Sequence, residues 1–446
     1  MPGPSLSYSR ISEYQQKVAT AERAVERVQS GGRVWIQSGC GTPEPLIEAL
    51  LKRSAMLRNV EIIHMKTLGD AAYTRPEYAG HFRHNGLFLG ENVREAVAAG
   101  RADYTPISLS DIEYLFCSGE LPLDVAFIQT SPPDADGFLS LGTTIECTLT
   151  AASCAKYVVA EVNDQMPRSR GDTLLHVSKV SAIVPTSRPL LELQPAPFTP
   201  TQQRIARNVT TLIPDGVTLQ VGIGGIPDAV LACLGDRRDL GIHSEMCSDG
   251  ILPLIEAGVL TGAKKTIHRG KIVVGFVLGS RKLCNFIHEN PLFEFHTTAY
   301  TNDPFVIAQN DNMIAINSAI QVDLTGQVCS DTIGTEPYSG FGGQLDFMRG
   351  AGRSRGGKAV IALPSTAKGG TVSRIAPVLD PGAGVVTTRS DVHYVATEHG
   401  VAYLRGKTVR QRAEALIAIA DPKFRDELHE FAVRSHYLEA RSALVA

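Results

Sequence analysis

The sequence predicts an α/β protein built from two similar open α/β domains. Three observations lead there. Short β-branched apolar runs alternate with amphipathic helical stretches along the chain. One order of parts (helix, turn, strand, glycine loop, proline, helix) occurs twice. And 446 residues exceed one ordinary core and fit two domains of about 200 residues each.

In the first half, Val18, Ala21, Val25 and Val28 stand at helical spacing over residues 14–30, and Gly31-Gly32 ends that helix. Val34-Trp35-Ile36 reads as a strand. Ser38-Gly39-Cys40-Gly41-Thr42-Pro43 follows, and then a helix bearing Leu46, Ile47, Leu50 and Leu51. The second half repeats this order. A helix with Ile205, Val209 and Leu212 stops near Pro214-Asp215-Gly216, and Val217–Val221 is a buried strand. Gly222–Pro227 then leads into a helix headed by Pro227 and Asp228, where proline suits the first turn and aspartate the positive end of the helix dipole. Gly39 and Gly222 are corresponding points of a duplication too long in period for a solenoid.

Further strands are expected at 60–65, 125–128 and 157–162 in the first half, and at 272–278, 313–317, 359–363 and 392–396 in the second. Helices are expected at 92–99, 146–155, 409–420 and 424–433. Residues 190–200 hold three prolines and no helical pattern. They read as a linker, dividing an N-terminal domain, 1–189, from a C-terminal domain, 201–446.

A net charge of −3 and pI near 6.5 give no reason to expect nucleic acid or an anionic membrane as partner. No uninterrupted apolar run reaches about 18 residues, and residues 1–17 lack the apolar block of a signal peptide. The eight cysteines form no C-x-x-C pair and read as reduced thiols. A cytoplasmic location is therefore expected.

The chemistry concentrates in two kinds of residue. A glycine turn between a strand and a helix N-terminus exposes backbone N–H groups to an anion or a polarised carbonyl. Gly222, Ile223, Gly224, Gly225 and Ile226 form one such loop. Two others hold Gly342-Gly343 and Lys368-Gly369-Gly370. The Gly222 loop is neither G-x-G-x-x-G nor a P-loop. Turn formation alone also explains glycine, but Arg349, Arg353, Arg355, Lys358, Lys368 and Arg374 lie close by in sequence and would suit a phosphorylated ligand; a solvated surface is the competing reading, and the favoured one for Arg353 and Arg355. The second feature is Glu245, one carboxylate among small and apolar neighbours in 241–250, read as a nucleophile. An ordinary loop glutamate is the competing reading. His243 and Cys247 have i, i+4 spacing but no second ligand cluster, so no metal is expected.

Several blocks in one order resemble the acetyl-CoA hydrolase/transferase family, nearest to its 4-hydroxybutyrate and butyryl-CoA:acetate CoA-transferase members. They are Gly222–Asp228, His243–Gly250, Asn302–Pro304, Ala315–Ala319, Asp323–Gln327, Ser339–Phe347, Lys368–Ile375 and Gly400–Lys407. The resemblance spans nearly the whole chain. It implies two α/β domains of similar fold with the active site between them, and a glutamate nucleophile at Glu245. Oxyanion and CoA contacts fall on Gly222, Ile223, Gly224, Gly225, Ile226, Gly342, Gly343 and Lys368. Ile223 stands where tyrosine or valine is usual, and Phe341 where a smaller residue is expected. Coenzyme A and a short-chain carboxylate (acetate, butyrate or 4-hydroxybutyrate) would be substrates, with no permanently bound cofactor, in a homodimer or higher oligomer. Hydrolysis of the same acyl-CoA through the same glutamate stays open. So does a CoA- or sugar-phosphate-binding isomerase or regulatory module without covalent catalysis.

Overall fold

A computed structural model describes residues 8–439. The first sheet contains β1 (Arg33–Ile36), β2 (Val60–His64), β3 (Phe82–Gly86), β4 (Ala102–Tyr104), β5 (Val125–Thr130), β6 (Tyr157–Asn163) and β7 (Ala182–Thr186). Its spatial order is β4-β3-β2-β1-β5-β6-β7, and every pair is parallel. The second contains β8 (Thr218–Val221), β9 (Gly241–His243), β10 (Ile272–Val274), β11 (Phe293–Phe295), β12 (Met313–Ser318), β13 (Lys358–Ala362), β14 (Tyr394–Thr397) and β15 (Gly400–Tyr403). Its order is β11-β10-β9-β8-β12-β13-β14-β15, parallel except for the last pair.

The two orders superpose strand for strand, β1 on β8 through β7 on β14. This is the duplication that the sequence predicts. In each sheet the chain winds one way from the central strand and then the other, so β1 and β8 lie at topological switch points. Ligands of open parallel sheets bind beyond the strand ends at such points. The glycine loops 38–43 and 222–225 leave β1 and β8 at their carboxyl ends.

The strands form because both faces are covered. All six residues of β5 are buried, and such strands read as continuous apolar runs. One apolar cluster runs through both halves and includes Trp35, Ile128 and Leu139 with Leu219, Val274 and Ile316. The contact between halves is also polar. Ile145 and Glu146 N–H donate to the Gly275 carbonyl at 3.0 and 3.1 Å, Val277 to Thr143 at 2.9 Å, and Leu109 to Gly342 at 3.0 Å.

Three local expectations change. The helix over 14–30 is broken: Tyr8–Lys17 and Ala21–Ala24 are separate. Val18 bridges Ile183 and Ala19 N–H donates to the Ile183 carbonyl at 2.9 Å, so the exposed edge of β7 captures the chain. The helix after β8 starts at Gly225, and Pro227 lies inside its first turn. The run 272–278 divides, β10 staying in the main sheet while Phe276–Val277 pairs with Met246–Cys247. The termini, including residues 1–7, lie outside the described residues.

Trp35 is fully buried, meets Phe116 edge-on at 5.3 Å and donates from Nε1 to Thr148 Oγ1 at 3.3 Å. Trp35→Ala is expected to cost about 3–5 kcal/mol, read as a lowered midpoint of denaturant unfolding.

Candidate active site

Glu245 follows β9, and its backbone is pinned across to the next strand. The Gly275 and Phe276 N–H groups both donate to its carbonyl, at 2.8 and 3.1 Å. Its side chain reaches a cavity of ≈ 80 Å³ lined from both halves, by Ser38, Gly39, Phe88 and Glu146 on one side and Gly222, Ile223 and Gly342 on the other. Burial raises the pKa of Glu245. A hydrogen bond from Asn302 and one from the Gly343 N–H oppose that rise. The Asn302 Nδ2 lies 3.3 Å from Oε2. A Cβ on Gly343 would lie 2.1 Å from the same oxygen, so only glycine lets the backbone approach so closely.

The N-terminal half holds Asn302 in place indirectly. Glu113, buried, accepts from Thr298 Oγ1 at 3.1 Å and Ala299 N–H at 2.7 Å. These groups open the short helix Thr298–Thr301, whose next residue is Asn302. His243 is buried, and its Nε2 lies 3.0 Å from the Thr301 carbonyl oxygen. Burial holds its pKa down to about 3, so the ring is neutral. Cys247 is buried too, its thiol pushed up.

Two more carboxyls flank Glu245, and sequence reasoning missed both. Glu146 is buried, lines the same cavity, and has no hydrogen-bond partner on Oε1. Its φ of 24° is a left-handed value, a strain that surrounding contacts must maintain. Burial first, and then the charge of Glu245, push its pKa up to about 7. Asp346, held by Ser110 N–H and Oγ at 3.2 and 2.9 Å, rises to about 7, mainly by burial. No motif flags either; only the folded geometry brings them together.

A larger cavity of ≈ 770 Å³ adjoins the small one, sharing Lys66, Ile223 and Leu278 with it. That size suits an extended organic ligand. Gly224, Gly225, Ser248 and the proline-rich stretch 193–196 line it. The expected linker is therefore a cavity wall as well. Gly224 has φ 109° with open space around it, which leaves the loop backbone accessible. Lys66 is the cation of these walls, and burial lowers its pKa. The duplication signals its neighbourhood, since Gly39, in the first-half counterpart of the Gly222 loop, donates its N–H to the Lys66 carbonyl at 2.8 Å.

The remaining sequence candidates divide. Gly222, Ile223, Gly224, Gly225 and Gly342 line the cavities, and Gly343 contacts Glu245. Ile226 is instead buried in the main apolar cluster. Lys368 is exposed, with φ 48°, and lines neither cavity. The basic set does not converge there either. Arg355 pairs with Asp311, Arg349 lies 3.6 Å from Asp391, and Lys358 donates to the Leu212 carbonyl at 2.5 Å. Gly352-Arg353-Ser354-Arg355-Gly356 has the letters of a serine nucleophile motif. Ser354 is buried at the end of the helix Gln344–Arg353, however, and donates to the Asn310 carbonyl at 2.6 Å, so it is no nucleophile elbow.

Residues 6–191 match the acetyl-CoA hydrolase/transferase N-terminal domain and 279–432 the C-terminal domain. Glu245 and the Gly222 loop lie between these stretches. The chain is 52% identical over 422 residues to a 4-hydroxybutyrate coenzyme A transferase of Clostridium kluyveri, covering 94% of this chain and 98% of that protein. It is 46% identical to a succinyl-CoA:acetate/propanoyl-CoA:succinate CoA transferase of Fasciola hepatica, covering 96% and 91%. Among solved structures, a 4-hydroxybutyrate CoA-transferase from Porphyromonas gingivalis superposes with TM-score 0.83 at 41% identity, covering 95% and 99%.

Two outcomes follow from the electrostatics. Asn302→Ala removes a donor that favours ionised Glu245, so the acidic limb of the kcat/KM profile for acyl-CoA turnover should move to higher pH. The rate near neutrality should fall roughly ten-fold or more; an unmoved limb would contradict the role of Asn302. Glu146 has a folded-state pKa of about 7 against 4.5 for the free group. Its protonated form therefore favours the fold at low pH, and that advantage is lost as pH rises toward 7. Glu146→Gln should gain up to about 3 kcal/mol above neutrality and nothing in acid, read by denaturant unfolding at the two pH values.

Proposed function

We propose, on the premise that this chain belongs to the acetyl-CoA hydrolase/transferase family, that it is a CoA-transferase working through a covalent glutamyl-CoA thioester on Glu245. The observation that carries this reading is the position of the Glu245 carboxylate, in a cavity walled by both halves and held by Asn302 and Gly343.

A glutamate oxygen attacks the acyl-CoA carbonyl. The C–S bond breaks, leaving an acyl-glutamyl anhydride and CoA thiolate. The thiolate then attacks the glutamyl carbonyl, and the anhydride C–O bond breaks to release the first carboxylate. A second carboxylate reverses both steps and leaves as the new acyl-CoA. Charge and protons balance at each step without an external base, because a carboxylate is already a nucleophile. Backbone N–H groups of the Gly222 loop are suited to the tetrahedral oxyanion, each worth about 3 kcal/mol in the transition state. The larger cavity, with Lys66 at its junction with the smaller one, would take the pantetheine arm and nucleotide of CoA, a substrate and not a resident cofactor. Binding energy gained there can be realised in the transition state.

The small cavity limits the acyl group to a short chain, with acetyl, butyryl or 4-hydroxybutyryl as the proposed class. The mainly apolar walls leave little room for bulk water, which favours transfer over hydrolysis. A cytoplasmic location accords with eight cysteines that are all unpaired. Among the described residues no helix is long and apolar enough to cross a membrane. A homodimer or higher oligomer is part of the same proposal.

The test is exchange of label from free acetate or butyrate into acyl-CoA. The proposal predicts exchange that depends on the acceptor carboxylate and falls by roughly 10⁴-fold or more in Glu245→Ala. Acyl-CoA loss without any label in the thioester pool would identify a hydrolase.

A further inference from the structure

Outside the mechanism just described, His268, Glu294 and His296 gather at the edge of the second sheet. Glu294 and His296 lie two residues apart and share a face at β11, while His268 approaches from the loop before the neighbouring strand β10, with a left-handed φ of 50°. His268 Nδ1 is 3.0 Å from Glu294 Oε2, and His296 Nε2 is 3.2 Å from Oε1. All three ligand atoms lie within 4.8 Å of one another.

The outer nitrogens are also occupied. His296 Nδ1 is 2.7 Å from Asp172 Oδ2, and His268 Nε2 is 2.5 Å from the Tyr300 hydroxyl. A metal-bound imidazole characteristically gives its other N–H to a carboxylate or similar acceptor, which fixes the tautomer. The Asp172 carboxylate at Nδ1 is such an acceptor, and it leaves His296 Nε2 facing the space shared with Glu294 and His268 Nδ1. The site is open enough for an ion to enter, with side-chain exposures of 18% at His268, 28% at Glu294 and 11% at His296.

We propose that His268 Nδ1, Glu294 and His296 Nε2 bind a first-row divalent cation, with Zn²⁺ the best-matched ion, and that Asp172 and Tyr300 orient the two rings. Two imidazoles and a carboxylate suit zinc, cobalt or nickel over magnesium or calcium. Donors to one zinc ion lie at most about 4.2 Å apart, so small ring rotations close the set, and water completes the coordination. The two negative carboxylates balance the ion's charge. Asp172 belongs to the N-terminal half, and its N–H donates to the Phe295 carbonyl at 2.8 Å. The ion would thus tie the edge of the second sheet to the first half of the chain.

The test uses full-length protein stripped with a chelator and titrated with Co²⁺ and then Zn²⁺. One Co²⁺ per chain is expected, with visible d–d bands of nitrogen and oxygen ligation and no thiolate charge-transfer band. Zn²⁺ should displace it and raise the melting temperature. His268→Ala/His296→Ala should lose both effects. Asp172→Asn, which leaves all three ligands, should weaken binding about ten- to hundred-fold. Equal binding by the wild type and the double variant, or a spectrum dominated by thiolate, would overturn the assignment. The wild-type spectrum stands as a readout even if a variant folds poorly.

Discussion

The site depends on keeping one carboxylate charged where little water reaches it. Burial raises the pKa of Glu245, and only two donors oppose the rise, the Asn302 amide and the Gly343 N–H. Both come from the C-terminal half, yet the N-terminal half supports both. Glu113 anchors the helix that ends at Asn302. Leu109 and Ser110 hold the Gly342 loop and the helix after it, through the Gly342 carbonyl and Asp346. The setting of the Glu245 carboxylate is therefore a property of the interface between the halves. The neighbouring carboxyls respond to the same burial first and to the charge of Glu245 after it: Glu146 and Asp346 retain protons to higher pH than isolated carboxyls do.

Duplication explains why the cavity lies where it does. Each sheet offers a glycine loop at the carboxyl end of its central strand, at the switch point where ligands of open sheets bind. The two loops meet, and Gly39 and Gly222 line one cavity. The halves have diverged in role. The second supplies the carboxylate and its donors. The first contributes Ser38, Lys66 and the strained Glu146, together with the carboxylate that positions Asn302.

Much of this was legible in the sequence because it depends on local patterning. The strand runs, the duplicated glycine loops and the proline-rich stretch each declare themselves within a few residues. Glu245 was marked only mildly by its small and apolar neighbours, and more by the resemblance of His243–Gly250 to the family. What was hidden depends on tertiary contact. The capture of Val18 by β7 breaks a helix that its spacing supports. Glu146 owes its perturbation to burial and then to Glu245, 99 positions along the chain. The basic residues near Lys368 are close in sequence but face other partners, since proximity along a chain of short strands and loops says little about which way a side chain points.

The central claim is that Glu245 itself carries CoA. Intact-mass measurement after incubation with acetyl-CoA, with borohydride reduction of the thioester and peptide mapping, tests it most directly. The account predicts a reduced glutamyl residue at position 245 and nowhere else. An unmodified Glu245 in enzyme that is turning over acyl-CoA would contradict it and would leave the buried carboxylate with a role in binding or in activating water.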